Sequence, residues 1–174
     1  MQRRILLTGP PGCGKTTVVR KVADILRDGA SGFYTEEIRD AKKQRIGFRV
    51  VTLDGKRGEL ADIISVHGPC VGTYRVNVES FERVALPSLE MEKGRILIID
   101  EIGKMECFSE TFVRRVREIF QAGYPVLATI PLRGGGEFLE EIRRQRDVKT
   151  FIVTIENRGA LPAQLAEMLL GATD

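Results

Sequence analysis

At 174 residues, 43% of them apolar and 29% charged, with a net charge of +3, the chain suits a single domain around one continuous core. That charge is too mild to indicate nucleic acid, and no stretch approaches the ~18 apolar residues of a membrane-spanning helix. One histidine, His67, and three unclustered cysteines, Cys13, Cys70 and Cys107, argue against a zinc site, a histidine-dependent nucleophile and a disulfide framework.

The chain opens on "RRILLTG", a short apolar run ending in glycine, which predicts a buried strand at Arg4–Thr8. This run is too short for a signal-peptide core, so a cytoplasmic protein without membrane contact is expected. Over 15–28, Val18, Val19, Val22, Ile25 and Leu26 recur at helical spacing, and "DG" closes the helix. "GFYTEEIR" and "RIGFRVVTL" flank the polar "DAKKQ" and read as a hairpin. "GELADIIS" and "VGTYRVNV" read as two more strands, so residues 32–78 form an antiparallel insert; His67, beside "GP", belongs to a loop. A helix over 79–92, broken near Pro87, follows. Then come a buried strand at 96–100, a helix at 109–121, a third buried strand "PVLATIP", a short helix at 136–146, a fourth strand "TFIVTI" and a last helix at 161–170. Strands alternating with helices imply parallel crossovers and an α/β sandwich in one domain, 1–174.

"GPPGCGKTT" carries the chemistry. Gly9, Gly14, Lys15 and Thr16 fit G-x-x-x-x-G-K-[ST], between a buried strand and an amphipathic helix. Such a loop binds the phosphates of a nucleotide through Gly9, Pro10, Pro11, Gly12, Cys13, Gly14, Lys15, Thr16 and Thr17. Its glycines let the backbone curl so that N–H groups converge, and the new helix adds its free N–H groups and positive dipole end. Lys15 reaches the β and γ oxygens, and Thr16 offers a hydroxyl to Mg²⁺, the expected cofactor. Thr17 stands near the α-phosphate or is simply the next helical residue. Cys13 is either a small residue suited to the turn or a thiol sensitised by the helix end.

In "ILIIDEIGKME", Asp100 ends a buried strand, where it would hold Mg²⁺ through the ion's water shell. Glu101 follows and points elsewhere, placed to take a proton from an attacking water. Lys104 and Glu106 lie just beyond, either supporting this site or forming a surface pair. A carboxylate directly after the metal aspartate is typical of phosphate-loop proteins that hydrolyse nucleotides. Resemblance to that RecA-like, additional-strand branch implies that "PVLATI" lies between the first strand and the Asp100 strand. Thr129, near its end, would then sense the γ-phosphate. Charge compensation is sought among Arg133, Arg143, Arg144 and Arg146, with Arg143 foremost. Asn157 and Arg158, after the last strand, are candidates for the base side of the site.

"LTGPPGCGKTT", "GFYTEEIR", "RIGF", "VVTLDGKRG", "ALPSLE", "LIIDEIGKME", "LATIP" and "ENR" occur in the order found in the cancer-related/thermophilic nucleoside-triphosphatase family, which the chain resembles over essentially its whole length. The resemblance implies a phosphate-loop three-layer sandwich, RecA-like, with a hairpin-bearing insert. It also implies Mg²⁺-dependent hydrolysis of ATP, GTP and other nucleoside triphosphates to diphosphate and phosphate, with Gly9 to Thr17, Asp100 and Glu101 as the nucleotide site. The alternative is a nucleotide, nucleoside or RNA-end kinase, its acceptor held near Arg39, Lys42, Lys43 and Arg45, with Glu101 activating a hydroxyl. A third reading is a nucleotide-gated binding module, against which Glu101 stands. No guanine-reading N-K-x-D pattern occurs, so weak discrimination among bases is expected. Nucleic acid is neither indicated nor excluded, and no particular protein partner is named by the sequence.

Overall fold

The computed structural model describes residues 3–171; residues 1, 2 and 172–174 of the expected 1–174 domain lie outside it. Strand β1 (Arg4–Thr8) alternates its side chains cleanly: Ile5 and Leu7 enter one core, Leu6 the other. Helix α1 (Lys15–Leu26) follows and buries Val18, Val19, Val22 and Leu26. It stops two residues short of the expected end because Arg27 adopts a positive φ of 49° and opens a 3₁₀ turn, Arg27–Gly29. Ile25 stays half exposed on the outer side.

The sheet continues with β2 (Ala30–Arg39), β3 (Arg45–Thr52), β4 (Arg57–Asp62), β5 (Cys70–Val71), β6 (Tyr74–Val76), β7 (Ile96–Ile99), β8 (Val126–Thr129) and β9 (Val148–Ile152). Among the described residues all nine strands form one sheet, in the order β5-β6-β4-β3-β2-β7-β8-β1-β9. β2, β7, β8, β1 and β9 are parallel, and β8 lies between β1 and β7 as the additional-strand topology requires. β2 serves both halves of the sheet. Its first residues pair in parallel with β7, Ala30 against Ile96 to Phe33 against Ile99, while its length pairs antiparallel with β3.

Helices cover both faces, giving three layers. One face carries α1 and α5 (Leu161–Leu170), with Leu161, Leu165 and Leu169 packed against Ile5, Leu7 and Leu127. The other carries α2 (Val78–Ala85), α3 (Glu110–Gln121) and α4 (Gly136–Arg143). There Phe81 meets Phe33 and Phe112 edge-on and Phe33 lies tilted against Phe112, with centroids 5.2 to 6.0 Å apart, joining β2 to α2 and α3. Asn77 caps α2 by accepting the Ser80 N–H at 3.0 Å, and Ser109 caps α3 through the Phe112 N–H.

The expected helix at 79–92 ends at Ala85, and Pro87 lies in a 3₁₀ turn, Leu86–Leu89. The single strand expected at "VGTYRVNV" is corrected to the short hairpin β5–β6, turning at Gly72, whose φ is +58°, and Val78 already belongs to α2. α4 ends at Arg143 rather than 146, and β9 runs over 148–152 rather than 150–155. No helix among the described residues is long and apolar enough to cross a membrane.

Candidate active site

Between β1 and α1 the backbone turns through Gly9, Gly12 and Gly14, at φ of +152°, +76° and +106°. A Cβ on Gly9 would stand 2.8 Å from Cys13 Sγ and 2.9 Å from the Val153 carbonyl, so the loop is closed against its own thiol and the exit of β9. The Cys13 N–H donates to Pro10 O at 3.2 Å, and the Val18 N–H to Gly14 O at 3.0 Å. No side chain caps α1 at Gly14. The positive end of its dipole lies at that N-terminus. Pro10, Pro11 and Gly12 form the exposed rim, and Thr17 is exposed beside it. Cys13 points the other way, buried with Val18 and Val153 beneath the loop. The Lys15 ammonium lies back across the loop, donating to Gly9 O at 2.8 Å and Pro10 O at 3.4 Å.

Asp100 leaves the end of β7 only 2% exposed. Its Oδ2 accepts the Thr16 hydroxyl at 2.7 Å, and its Oδ1 accepts the Thr129 hydroxyl at 2.5 Å. Burial raises the Asp100 carboxyl above the usual range; the Thr129 and Thr16 hydroxyls, the Thr35 N–H and the Lys15 charge oppose that rise. Hard oxygen donors from Asp100 and Thr16, converging beside the first turn of α1, suit Mg²⁺. Among the described residues no group of three or more His, Cys, Asp or Glu could cage a metal by itself.

Glu101 is half-buried, and its carboxyl is raised by burial and then by Asp100, against the pull of Lys15. Glu106 is buried inside the following turn and is pushed up to about 8, by burial first and by Glu101 next. A Cβ on Gly103 would stand 2.6 Å from Glu101 Oε1 and 2.8 Å from Glu106 Oε2, so these two carboxyls converge on the glycine's α-carbon. Lys104 is exposed and takes no part in that convergence. The Cys107 thiol, shielded and facing the same acids, is pushed up to about 12.

The Thr129 hydroxyl is committed to Asp100. Arg143 holds the glycine-rich loop, donating to Pro131 O at 2.9 Å, Gly134 O at 3.2 Å and the Glu140 carboxylate at 2.6 Å. Arg133, Arg144 and Arg146 are exposed. Asn157 locks the turn after β9: its Oδ1 accepts the Thr154 N–H and its Nδ2 donates to Ile152 O, both at 2.8 Å. Arg158 lies along the phosphate loop, its Cδ 3.3 Å and Nη1 3.6 Å from where a Cβ on Gly14 would stand.

A family model described as NTPase matches residues 4–166. The chain belongs to this NTPase family. It is 47% identical to the cancer-related nucleoside-triphosphatase homolog of Mus musculus, across 92% of this chain and 93% of that one. It is 40% identical to the nucleoside-triphosphatase THEP1 of Aquifex aeolicus, across 95% and 98%. The crystal structure of THEP1 from that hyperthermophile superposes with a TM-score of 0.87 at 38% identity, covering 95% of this chain and 98% of that one. The solution structure of a human cancer-related nucleoside triphosphatase superposes with a TM-score of 0.82 at 42% identity, covering 99% and 100%.

In this NTPase fold the insert also reaches the site, which the sequence did not signal. The Phe33 carbonyl of β2 accepts the Asp100 N–H at 3.1 Å, and farther along β2 Glu36 faces Arg49 of β3 at 3.8 Å. Tyr34 lies under the Arg20 guanidinium of α1 at 4.9 Å. The hairpin-tip cations are partly engaged within the hairpin: Arg39 and Arg45 both pair with Glu37. A backbone acceptor carries no sequence pattern of its own, so only the register of β2 against β7 reveals Phe33.

Proposed function

We propose that the chain hydrolyses ATP, GTP and other nucleoside triphosphates to diphosphate and phosphate with Mg²⁺, using water as the nucleophile. It is a nucleoside-triphosphate phosphohydrolase, as the names of its relatives state of them. The 2.7 Å bond from Thr16 Oγ1 to Asp100 Oδ2 carries this reading, because it joins the phosphate-loop helix to the acid strand with Glu101 adjacent. Lys15 leaves its loop carbonyls for the β and γ oxygens, and the bare N-terminus of α1 faces the phosphates. Thr16 directly, and Asp100 through water, would hold Mg²⁺, which when bound neutralises charge on the β and γ oxygens. Glu101 accepts a proton from the water whose oxygen bonds to the γ-phosphorus; the bond to the β–γ bridging oxygen breaks, and the diphosphate leaves with its electron pair. A cytoplasmic setting belongs to the same reading, supported by three cysteines that are all free thiols.

The test is phosphate release from ATP, GTP, CTP and UTP with Mg²⁺ and no second substrate, for wild type and Glu101→Gln. Wild type should turn over all four, with kcat/KM values within about a hundredfold (~2.7 kcal/mol). The variant should bind nucleotide but lose about 10²-fold or more in kcat. Tight binding without phosphate release until a hydroxyl acceptor is supplied would replace hydrolysis with kinase chemistry. Asp100→Asn should raise the Mg²⁺ concentration needed for half-maximal rate; an unchanged titration would place the ion elsewhere.

A further inference from the structure

Away from the phosphate loop, where the far end of α1 meets the insert, the protein carries a cavity of about 740 Å³, a size that suits a small molecule. It arises from register. The β2–β3 ladder begins at Phe33 opposite Thr52, so Ala30 and Ser31 have β7 on one side and no β3 residue on the other. The turn over residues 53–56 closes one side of the opening, and the later turns of α1 close another.

A row of side chains crosses the insert beside α1. Tyr34 is opposite Val51, and Val51 is opposite Arg57, so alternation puts all three on one face. Arg20 of α1 lies over the Tyr34 ring, 4.9 Å from its centroid, a stacking that leaves the N–H donors at the guanidinium's edge free. Arg57 stands two strands from Tyr34, about 10 Å by the usual spacing, so an anion over Val51 lies within reach of both guanidiniums. Among the described residues neither has an ion pair. Asp24, one turn beyond Arg20 on the same flank of α1, has none either, nor have Asp28, Arg27 and Glu90 in the same wall. Asp54 and Glu92, by contrast, are taken by Lys56 at 3.5 Å and Arg95 at 3.0 Å. Where the cavity passes the start of β2, the Ser31 hydroxyl is shut from water and has no hydrogen-bond partner.

We infer that this cavity is a second ligand site, for a phosphorylated polyol of the sugar-phosphate class, with Arg20 and Arg57 on the phosphate and Asp24 and Ser31 on the hydroxyl groups. Guanidinium forks match phosphate oxygens. A carboxylate only accepts, so Asp24 repels a bare anion and takes the proton of a hydroxyl. The mixed charge of the wall therefore favours a molecule with both kinds of group over phosphate alone. The site is separate from the one read above as hydrolytic: α1 has 12 residues, about 18 Å of helix, and the phosphate loop lies at its other end.

The experiment titrates ribose 5-phosphate, inorganic phosphate and ribose into the full chain with Mg²⁺ and a non-hydrolysable triphosphate already bound, following heat and backbone amide shifts. Ribose 5-phosphate should bind tightest of the three and move the amides of Ser31, Tyr34 and Arg57. Arg20→Ala and Arg57→Ala, both at exposed positions, should each weaken it about tenfold. Ser31→Ala should weaken it too, with unfolding stability no lower than wild type, because the hydroxyl it removes has no partner in the fold. Asp24→Ala should tighten inorganic phosphate and loosen ribose 5-phosphate. Equal affinity for phosphate and ribose 5-phosphate, or tightening of both in Asp24→Ala, would reduce the cavity to a cationic patch and overturn the polyol site. Shifts confined to residues 9–17 would overturn it by assigning the ligand to the phosphate loop, and no binding of ribose 5-phosphate would overturn it outright. None of these outcomes bears on phosphate release from ATP, which alone decides the hydrolysis reading.

Discussion

A carboxyl group shut away from water keeps its proton, and Glu106 is such a group. It is 5% exposed, faces Glu101 and Asp100 across Gly103, and is flanked by Cys107, with Glu82 of α2 bonded to nearby Ser109. Its pKa of about 8 lies above the ordinary 4.5, so between those values the folded chain binds a proton that the unfolded chain has released. The stability this gives is full below the unfolded pKa and is lost as pH rises through the folded one. Glu106→Gln removes the titration. Unfolding at pH 5 and pH 8 should therefore show the variant gaining on wild type at the higher pH by on the order of 3 kcal/mol. Parallel curves at both pH values would mean that Glu106 is ionised in the fold. Lys15→Ala should abolish turnover and weaken triphosphate binding, measured by titration; wild-type kinetics would remove the phosphate-loop assignment. Glycine spacing marked the phosphate loop, and the end of an apolar run marked Asp100. In "GKMECFS" nothing distinguishes Glu106 from Lys104. Which of the two turns inward is set by the 3₁₀ turn over Glu106–Phe108, too short to leave a period in the sequence.

Register is where the elements meet the site. Gly32 sits opposite Ile98 on β7 at a φ of +119°, and a Cβ there would stand 2.0 Å from the Ile98 carbonyl oxygen. Only glycine lets β2 approach closely enough for the Phe33 carbonyl, next along the strand, to accept the Asp100 N–H at 3.1 Å. Gly32→Ala must force the strands apart at their junction, and it should cost on the order of 3 kcal/mol in denaturant unfolding. It should also raise KM or lower kcat without touching any ligand; wild-type stability would show that β2 can slide instead. Continuous apolar runs made β1, β7 and β8 legible, because both sheet faces are buried there. Errors fell where a local turn overrode the pattern. Gly72 bends an alternating stretch into two strands, and Arg27 stops α1 early through a backbone conformation that its residue type does not announce.

One sheet spans the whole described chain, and the core beneath it does not divide at the insert. The same buried cluster holds Leu6 of β1, Leu97 of β7, Val50 of β3, Leu60 of β4 and Phe81 of α2, with Phe33 in contact with the rings on either side. The strands of the insert continue the hydrogen-bonded ladder outward from β2. Opening the insert alone would strip apolar surface from β2 and α3 and leave the β2 edge unpaired, so the insert and the parallel strands should unfold together. Native-state hydrogen exchange tests this directly: the β3 amides at Val50 and Val51 should open with the same free energy as the β1 amides at Leu6 and Leu7. A non-hydrolysable triphosphate at about 100 times its Kd should raise both by the same ~2.7 kcal/mol, although it touches only one half of the sheet. If the β3 amides exchange through a smaller opening that nucleotide leaves unchanged, the insert is a separate folding unit. Phe33 would then hold the Asp100 N–H only part of the time, and turnover would depend on how often the hairpin is docked.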